Sequence, residues 1–291
     1  MLSLRQIWIL LWKDMLIDLR RMENLIAMFF FAFLTLLIFN FAFGERGGVS
    51  FRYTSRVQER LVAGGIPADV LAPLAPLLGV THGSQQAFLH AVERLQAPLS
   101  NPQRIALVQA SRVNFIQNVA AGLFWITFLL AGLLGLDKSF SQEKEHGCMD
   151  GLLLTPVPRG LVYLGKMSSN ALFLAVITVI LVPLFALLFQ LDLHGLWARL
   201  ALIAVGGIVG FTALGTLLGG VTTSLRGKEV LLPLLLFPLM VPVLLVVVHL
   251  TDVVLQGGAI SQNLGWLQLL AAFDGVFLVA SYLVFDYVME A

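Results

Sequence analysis

The chain has 291 residues, of which 58% are hydrophobic and only 12% are charged, and its formal net charge is +1. Soluble domains carry about twice that charged fraction, so the composition excludes an ordinary soluble protein and indicates a polytopic helical membrane protein. The near-neutral charge also argues against nucleic acid as a partner. A single cysteine, Cys148, excludes a disulfide framework and a thiolate metal cage, and we interpret it as inert.

Residues 1–24 form the first predicted element, an amphipathic helix that lies in the membrane interface. Apolar residues recur in it at three- and four-residue steps, with charged residues between them: Leu4, Trp8, Leu11, Met15 and Leu19. Arg20 and Arg21 directly precede the first apolar run, which favours an interfacial helix over a soluble face packed on a partner. Because charges interrupt any apolar core, we expect no cleavable signal peptide in this segment.

Six apolar runs long enough to cross a bilayer follow in the sequence. A hydrocarbon core of about 30 Å requires about 20 residues of α-helix. The predicted spans cover residues 25–43, 115–136, 167–191, 200–223, 230–250 and 264–287. The fold prediction is therefore an all-α polytopic membrane protein with six transmembrane helices, the last five of which lie within residues 113–291.

Residues 44–112 interrupt the series of spans and differ from them in composition. They include seven basic and four acidic residues, and prolines separate stretches of helical spacing at residues 55–62, 85–95 and 102–111. We predict a small helical insertion between the first and second spans. The pattern leaves its role open between a solvated spacer and a binding module.

The distribution of Lys and Arg predicts the orientation in the membrane. With the N-terminus inside, the inside segments hold ten basic residues and the short outside loops hold only Arg199. Cytoplasmic loops of membrane proteins carry such an excess. We therefore expect both termini in the cytoplasm and the insertion on the extracytoplasmic side.

A charged loop at residues 137–160 connects the second and third predicted spans. Residues 139–145 have the pattern of a short amphipathic helix that exposes Glu143 and Glu145, and Gly147 ends it. A rigid, charged helix at a cytoplasmic turn can transmit force from a docked soluble protein. The alternative is an ordinary loop between helices, and the residue pattern does not decide between the two.

Residues 160–167 nearly match the phosphate-binding pattern G-x-x-x-x-G-K-[ST]. Met167 stands where the pattern requires a hydroxyl for Mg²⁺, and no strand precedes the stretch. We therefore predict no nucleotide site in this chain. The sequence shows no nucleophile–base arrangement and no histidine spacing suited to a metal, so it gives no indication of an enzyme.

Two features inside the predicted spans are candidates for function. Asp274 falls in the sixth span, where a carboxylate is costly, so it indicates ion or proton coupling unless it is hydrated or neutral and hydrogen-bonded. The fourth span has small residues at four-residue spacing, which lets helices approach closely. These residues serve packing within the subunit or, alternatively, a subunit interface or moving seam: Gly206, Gly210, Gly215 and Gly219.

Three parts of the chain carry a more specific pattern. Its residues are Lys13, Asp14, Leu19 and Arg20, then Trp125, 131–137, Phe140, Glu143, Gly147, Asp150, Gly151, Leu153, Pro156 and Lys166, and finally 226–228, 231–234 and 237–242. Together they resemble the haem exporter protein B family of cytochrome c maturation. The resemblance covers residues 1–44 and 115–291, and the insertion replaces a short connection in other members.

This resemblance implies an ABC-2-type permease subunit that is not itself an enzyme. Its implied partner is a cytoplasmic ABC ATPase that binds the ATP, in agreement with the missing phosphate loop. The ATPase-coupling segment would contain Asp137, Phe140, Glu143, Glu145, Gly147 and Asp150. No cofactor is then expected on this chain, and haem is the implied cargo.

The resemblance also implies a place in the cell and further partners. These are the bacterial inner membrane with its lipid, a haem-handling membrane protein and a haem chaperone of cytochrome c maturation, and a second copy of the chain in a homodimer. One alternative is an ABC-2-type exporter of another lipid or a drug. The other is an ion- or proton-coupled carrier that uses Asp274.

Overall fold

The computed structural model describes residues 22–44, 49–145, 159–223 and 228–288. Six long helices and a small mixed insertion make up these residues. The elements in chain order are α1 (Met22–Gly44), β1 (Val49–Arg52), α2 (Ser55–Ala63), α3 (Ala68–Leu71), a 3₁₀-helix (Ala72–Leu77), β2 (Thr81–His82), α4 (Gln85–Arg94), α5 (Asn101–Ala110), β3 (Arg112–Asn114), α6 (Phe115–Glu145), α7 (Arg159–Leu188), α8 (Trp197–Thr223), α9 (Lys228–Leu255), a second 3₁₀-helix (Ile260–Asn263) and α10 (Leu264–Val288).

The six long helices are the membrane-spanning part of the fold. Each of α1, α6, α7, α8, α9 and α10 contains a stretch that is long and apolar enough to cross a membrane. The predicted all-α polytopic architecture is therefore confirmed. Of the predicted interfacial helix in residues 1–24, the last three residues are the start of α1, and the rest lies outside the described residues and stays a prediction.

Helix α8 lies at the centre of this bundle. It packs against α6, α7, α9 and α10, and 56% of its span is buried, second to 61% for the span of α6. Glycines on its surface, which have no side chain, make this close contact possible. A Cβ on Gly206 would lie 2.5 Å from Leu270 of α10, and a Cβ on Gly207 would collide with the indole ring of Trp125 of α6. In a bilayer such close approach supplies the packing that holds helices together.

The insertion has its own apolar core and more regular structure than the sequence indicates. Its helices α2, α4 and α5 lie where helical spacing predicts them. In addition, three strands form an antiparallel sheet in the order β2–β1–β3. The prediction of a helical insertion is therefore incomplete, because the insertion also contains this small sheet. The strands are two to four residues long, too short to show an alternating pattern.

Local capping explains where the insertion helices begin. Thr54 and Ser84 each accept a hydrogen bond from the backbone N–H three residues later, and Gln103 accepts from the backbone N–H of Ser100. These are the N-cap contacts that satisfy the first free N–H groups of a helix. The helices then bury one face around Tyr53 and Phe88, which are fully buried.

The Gly207→Ala variant tests the close contact between α8 and α6. The added methyl group would displace the Trp125 ring, so we expect a loss of about 1–3 kcal/mol in stability and a lower thermal midpoint in detergent. Gly275→Ala is the matched control, because a Cβ at Gly275 meets nothing within 4 Å. Its midpoint should stay equal or rise, since Ala is about 1 kcal/mol better than Gly within a helix. Equal midpoints for the two variants would contradict the contact.

Candidate functional sites

The predicted coupling segment continues the second membrane helix without a break. Helix α6 has 31 residues, from Phe115 to Glu145, and its candidate span ends at Leu136. At 1.5 Å per residue the nine-residue extension beyond the span is about 13 Å long. The predicted short helix at 139–145 is thus the end of α6 rather than a separate element. The side chains of Asp137, Phe140, Glu143 and Glu145, and both Gly147 and Asp150, lie outside the described residues.

The far end of the predicted loop is also helical. Helix α7 begins at Arg159, eight residues before the predicted third span, and includes the near-match to the phosphate-binding pattern. A Cβ on Gly160 would lie 2.5 Å from the Tyr282 ring of α10, so this glycine faces a helix contact and not an open loop. All of residues 160–167 are helical and belong to a stretch that is long and apolar enough to cross a membrane.

Asp274 lies between three helices in the middle of the bundle. Its side chain is only 8% exposed, and its Oδ1 atom has no hydrogen-bond partner among the described residues. That atom faces Gly210 of α8, where an added Cβ would approach it to 2.5 Å, and Val243 of α9 borders the same position. The described residues contain no cluster of three or more potential metal ligands. Asp274 is therefore a buried acid that lies against the backbone of Gly210.

The glycines predicted in α8 face different neighbours within the chain. Gly206 and Gly210 lie against Leu270 and Asp274 of α10, respectively. A Cβ on Gly215 would collide with Leu136 of α6, and the backbone carbonyl of Gly219 accepts a hydrogen bond from Thr222 at 3.3 Å. In the described residues the contacts of Gly206, Gly210 and Gly215 are thus contacts within one subunit.

Among the described residues, sequence reasoning missed three buried polar contacts between the membrane helices. Trp125 Nε1 of α6 donates to Thr251 Oγ1 of α9 at 2.9 Å, and Asn170 Nδ2 of α7 donates to Thr216 Oγ1 of α8 at 3.1 Å. The third is a bond from Tyr163 of α7 to the Ala213 carbonyl of α8, at 3.0 Å. A polar side chain inside an apolar span could have indicated each contact, because such side chains form hydrogen bonds with neighbouring helices.

Two arginine–aspartate contacts attach the insertion to the membrane helices. Arg52 Nη1 of β1 lies 3.4 Å from Asp252 Oδ1 near the end of α9, and Arg60 Nη2 of α2 lies 3.5 Å from Asp192 Oδ2 in the α7–α8 loop. Arg56 Nη1 also donates to the backbone carbonyl of Asp192 at 2.8 Å. The insertion therefore rests on the ends of α7 and α9, and we call this side of the protein the insertion face.

The electrostatics of Asp192 favour its charged form. A hydrogen bond from the backbone N–H of His194 is the largest factor that lowers the pKa of this carboxyl, and the positive charges of Arg56 and Arg60 act in the same direction. The carboxylate is exposed, so solvent screens these interactions and each is weak. Asp192 thus acts as a charged contact for the insertion at neutral pH.

One protein family matches most of this structure. A family model described as CcmB protein matches residues 106–289, which include α6 to α10. Heme exporter protein B of Pseudomonas aeruginosa is 34% identical over 159 residues, or 55% of this chain and 71% of that protein. The protein of the same name from Rhodobacter capsulatus is 33% identical over 155 residues, covering 53% and 70% of the two chains. That from Haemophilus influenzae is 31% identical over 132 residues, covering 45% and 59%.

The range matched by the family model leaves out α1 and most of the insertion. It begins within α5, so β1, β2, α2 and α4 all precede it. The matched part contains the predicted coupling segment, the α8 glycines and Asp274. The contacts of Arg52, Arg56 and Arg60 thus join an unmatched segment to matched helices.

Removing the contact between Arg52 and Asp252 should loosen the insertion. Asp252→Asn is the cleaner change, because Arg52 also donates to Thr81 within the insertion. We expect faster hydrogen–deuterium exchange in α2, and a coupling of about 1 kcal/mol or less in a double-mutant cycle with Arg52→Gln. The control is Arg104→Gln, which removes an arginine–glutamate pair that lies wholly within the insertion. Exchange in α2 that is equal in the control and in Asp252→Asn would contradict the docking role.

The contact between Gly210 and Asp274 can be tested by size compensation. Gly210→Ala should lower the thermal midpoint, because its methyl group would enter the space of the Asp274 carboxyl. Adding Asp274→Ala should restore part of the loss, since it removes the group that collides. Midpoints that fall additively in the double variant would show that the two residues do not share this space.

Proposed function

Since the chain belongs to the CcmB protein family, we propose that it is the permease subunit of an ABC transporter complex in c-type cytochrome biogenesis. The family match over residues 106–289 carries this proposal. The relatives named heme exporter protein B support haem as the transported or delivered cargo. In this proposal the chain is not an enzyme and binds no cofactor of its own, and ATP is hydrolysed by a separate cytoplasmic ABC ATPase.

The continuous helix α6 supports the proposed coupling. An ATPase docked on residues 137–145 would displace the end of a helix whose other part lies in the bundle. Within the bundle, Trp125 of α6 bonds Thr251 of α9 and lies against Gly207 of α8. Movement of α6 therefore shifts two neighbouring helices, because close-packed interiors transmit displacement.

In this proposal, the two ends of the helix bundle contact different partners. The contacts of Arg52 and Arg56 join the insertion to the ends of α9 and α7, and the coupling segment lies at the other end of α6. The positive-inside distribution supports a cytoplasmic coupling segment, cytoplasmic termini and an extracytoplasmic insertion in a bacterial inner membrane. ATP-driven motion would then act on haem delivery, or on release of the haem chaperone, at the insertion face.

Other partners follow from this assignment. A haem-handling membrane protein would contact the chain within the bilayer, alongside membrane lipid, and a homodimer would place two coupling segments against a paired ATPase. The role of Asp274 differs between functions. A proton-coupled carrier requires its carboxyl, whereas the ATPase-driven subunit requires only that the side chain fit against Gly210.

Reversing charge in the coupling segment should uncouple the two subunits. With Glu143→Lys and Glu145→Lys together, we expect about tenfold less ATPase to co-purify, because charge reversal at an interface creates repulsion. The same variant should fail to restore c-type cytochromes in cells that lack the chain. The matched control reverses Glu59 and Glu93, which are exposed on the insertion.

Three results would contradict the proposal or redirect it. Undiminished ATPase recovery with the Glu143 and Glu145 reversals would remove the coupling role from this segment. Normal c-type cytochromes after deletion of the chain would favour the alternative, an exporter of another lipid or a drug. Loss of activity in Asp274→Asn without loss of stability would favour an ion- or proton-coupled carrier.

A further inference from the structure

A cleft of about 190 Å³ lies where the insertion meets the membrane helices. Its walls come from β1, α2 and β3 of the insertion, the start of α6, the end of α9 and the residues after α7. Six charged side chains line it: Arg52, Arg56, Arg60, Arg112, Asp192 and Asp252. The cleft is thus shared between the insertion and the family-matched helices, and its lining has two more positive than negative groups.

Both aspartates of the cleft are already engaged by protein groups. Asp252 Oδ1 contacts Arg52, and its Oδ2 accepts a hydrogen bond from Gln256. Asp192 Oδ2 contacts Arg60, and its Oδ1 accepts from the His194 backbone N–H at 3.1 Å. The two aspartates therefore have little capacity left to pair with the other arginines of the cleft.

Among the described residues, no carboxylate is in hydrogen-bond contact with the two remaining arginines of the cleft, Arg56 and Arg112. Arg56 donates only to the backbone carbonyl of Asp192, and Arg112 makes no side-chain hydrogen bond or ion pair with the part of the chain that the structure describes. A guanidinium has five N–H donors in a planar fork, so both retain donors for an oxyanion. These two side chains are therefore the groups in the cleft with N–H donors available to a ligand.

Arg56 is held in place rather than freely mobile. Its aliphatic stem packs against Gly257, whose φ of +83° and close contact with Arg56 leave no room for a side chain. Burial lowers the pKa of the Arg56 guanidinium, and the positive charges of Arg60 and Arg199 act in the same direction against the effect of Asp192. Positive groups fixed close together in a cleft raise the local potential and attract anions.

The position of the cleft relative to the bilayer limits which kinds of anion could bind in it. Its lining includes Gln117, Asp252 and Gln190, which lie at or beside the ends of the candidate spans of α6, α9 and α7. A ligand here would place a charged group among arginines at the polar boundary and an apolar body along the membrane helices.

We propose that this cleft binds the anionic head of an amphiphile, a carboxylate or a phosphate, at the insertion face of the protein. Arg56 and Arg112 supply the free donors, and Arg52 and Arg60, which are paired with Asp252 and Asp192, hold the insertion in place. Two sources share this chemistry, the carboxylates of a porphyrin cargo and the phosphate of a lipid headgroup. The site does not depend on the ATPase partner, because its residues all belong to this chain.

Direct binding to the full-length chain in nanodiscs of neutral phosphatidylcholine tests the site. One arm titrates protoporphyrin IX, with its dimethyl ester as the uncharged control, and reads tryptophan quenching. The other arm titrates short-chain phosphatidylglycerol against short-chain phosphatidylcholine. We expect saturable binding of the anionic probe, but not of its control, in at least one arm, with affinity that falls as salt rises. The arm that saturates identifies the source of the anion.

Variants decide whether the cleft is responsible. Arg112→Gln should weaken binding about tenfold with an unchanged thermal midpoint, because it removes a charged donor that no described residue uses. Arg56→Gln should weaken it similarly, and Arg56→Lys should recover part of the affinity by restoring charge. The control is Arg94→Gln, an exposed arginine on α4 outside the cleft, which should bind like the unmodified chain.

Two outcomes would overturn the assignment. One is the absence of saturable binding in both arms. The other is equal affinity of Arg112→Gln, Arg56→Gln and Arg94→Gln for the bound probe. Because binding is measured without ATP or the ATPase, either outcome leaves the proposed coupling function standing, and a failure of the coupling function leaves this site standing.

Discussion

The close approach of neighbouring helices to α8 is the constraint on which the membrane part of the structure depends. Lipid chains are as apolar as leucine, so helices in a bilayer gain little from hiding apolar surface from each other. Contact area has to come from fit, and α8 provides it by presenting backbone in place of side chains at Gly206, Gly207 and Gly210. Leu270, Trp125 and Asp274 occupy the space that side chains would otherwise fill.

Polar contacts add direction to this packing. The bonds from Trp125 to Thr251 and from Asn170 to Thr216 each join two helices through buried side chains. Such bonds contribute modestly to stability in membranes, about 1 kcal/mol each, but they favour one arrangement over others. A displacement of α6 at its extended end would therefore reach α9 through Trp125 and Thr251, and α8 through the contact of Trp125 with Gly207. This arrangement is what the proposed coupling to an ATPase requires.

The insertion is attached by a different kind of interaction. Its apolar core closes on itself around Tyr53 and Phe88, while its contact with the membrane helices includes the charged contacts of Arg52 and Arg60. Such contacts are weak individually and leave room for a hydrated cleft. Arg56 and Arg112, which contact no described carboxylate, give the cleft its excess positive charge at the membrane boundary. The proposed binding site for an anionic amphiphile is thus formed jointly by the insertion and the membrane helices.

Composition and local pattern were sufficient for the class, the six spans and the helices of the insertion, because these depend on residues close together in the chain. Caps at Thr54 and Ser84 and apolar runs of spanning length are signals of that kind. The coupling segment was also proposed from sequence, through a resemblance, and its backbone extends α6 while its side chains stay a prediction. The short strands were missed, since two to four residues show no period.

Tertiary structure alone decided which neighbours each of these residues meets. The sequence marked Asp274 and the α8 glycines as unusual, but only the crossing of α8 with α10 placed the carboxyl against Gly210. Likewise Arg52 and Asp252 are 200 positions apart, and nothing local to either residue specifies their contact. The sequence therefore determined the elements through short-range periodicity and capping. The folded chain decided the cleft and the buried acid, because both arise from groups that only packing brings together.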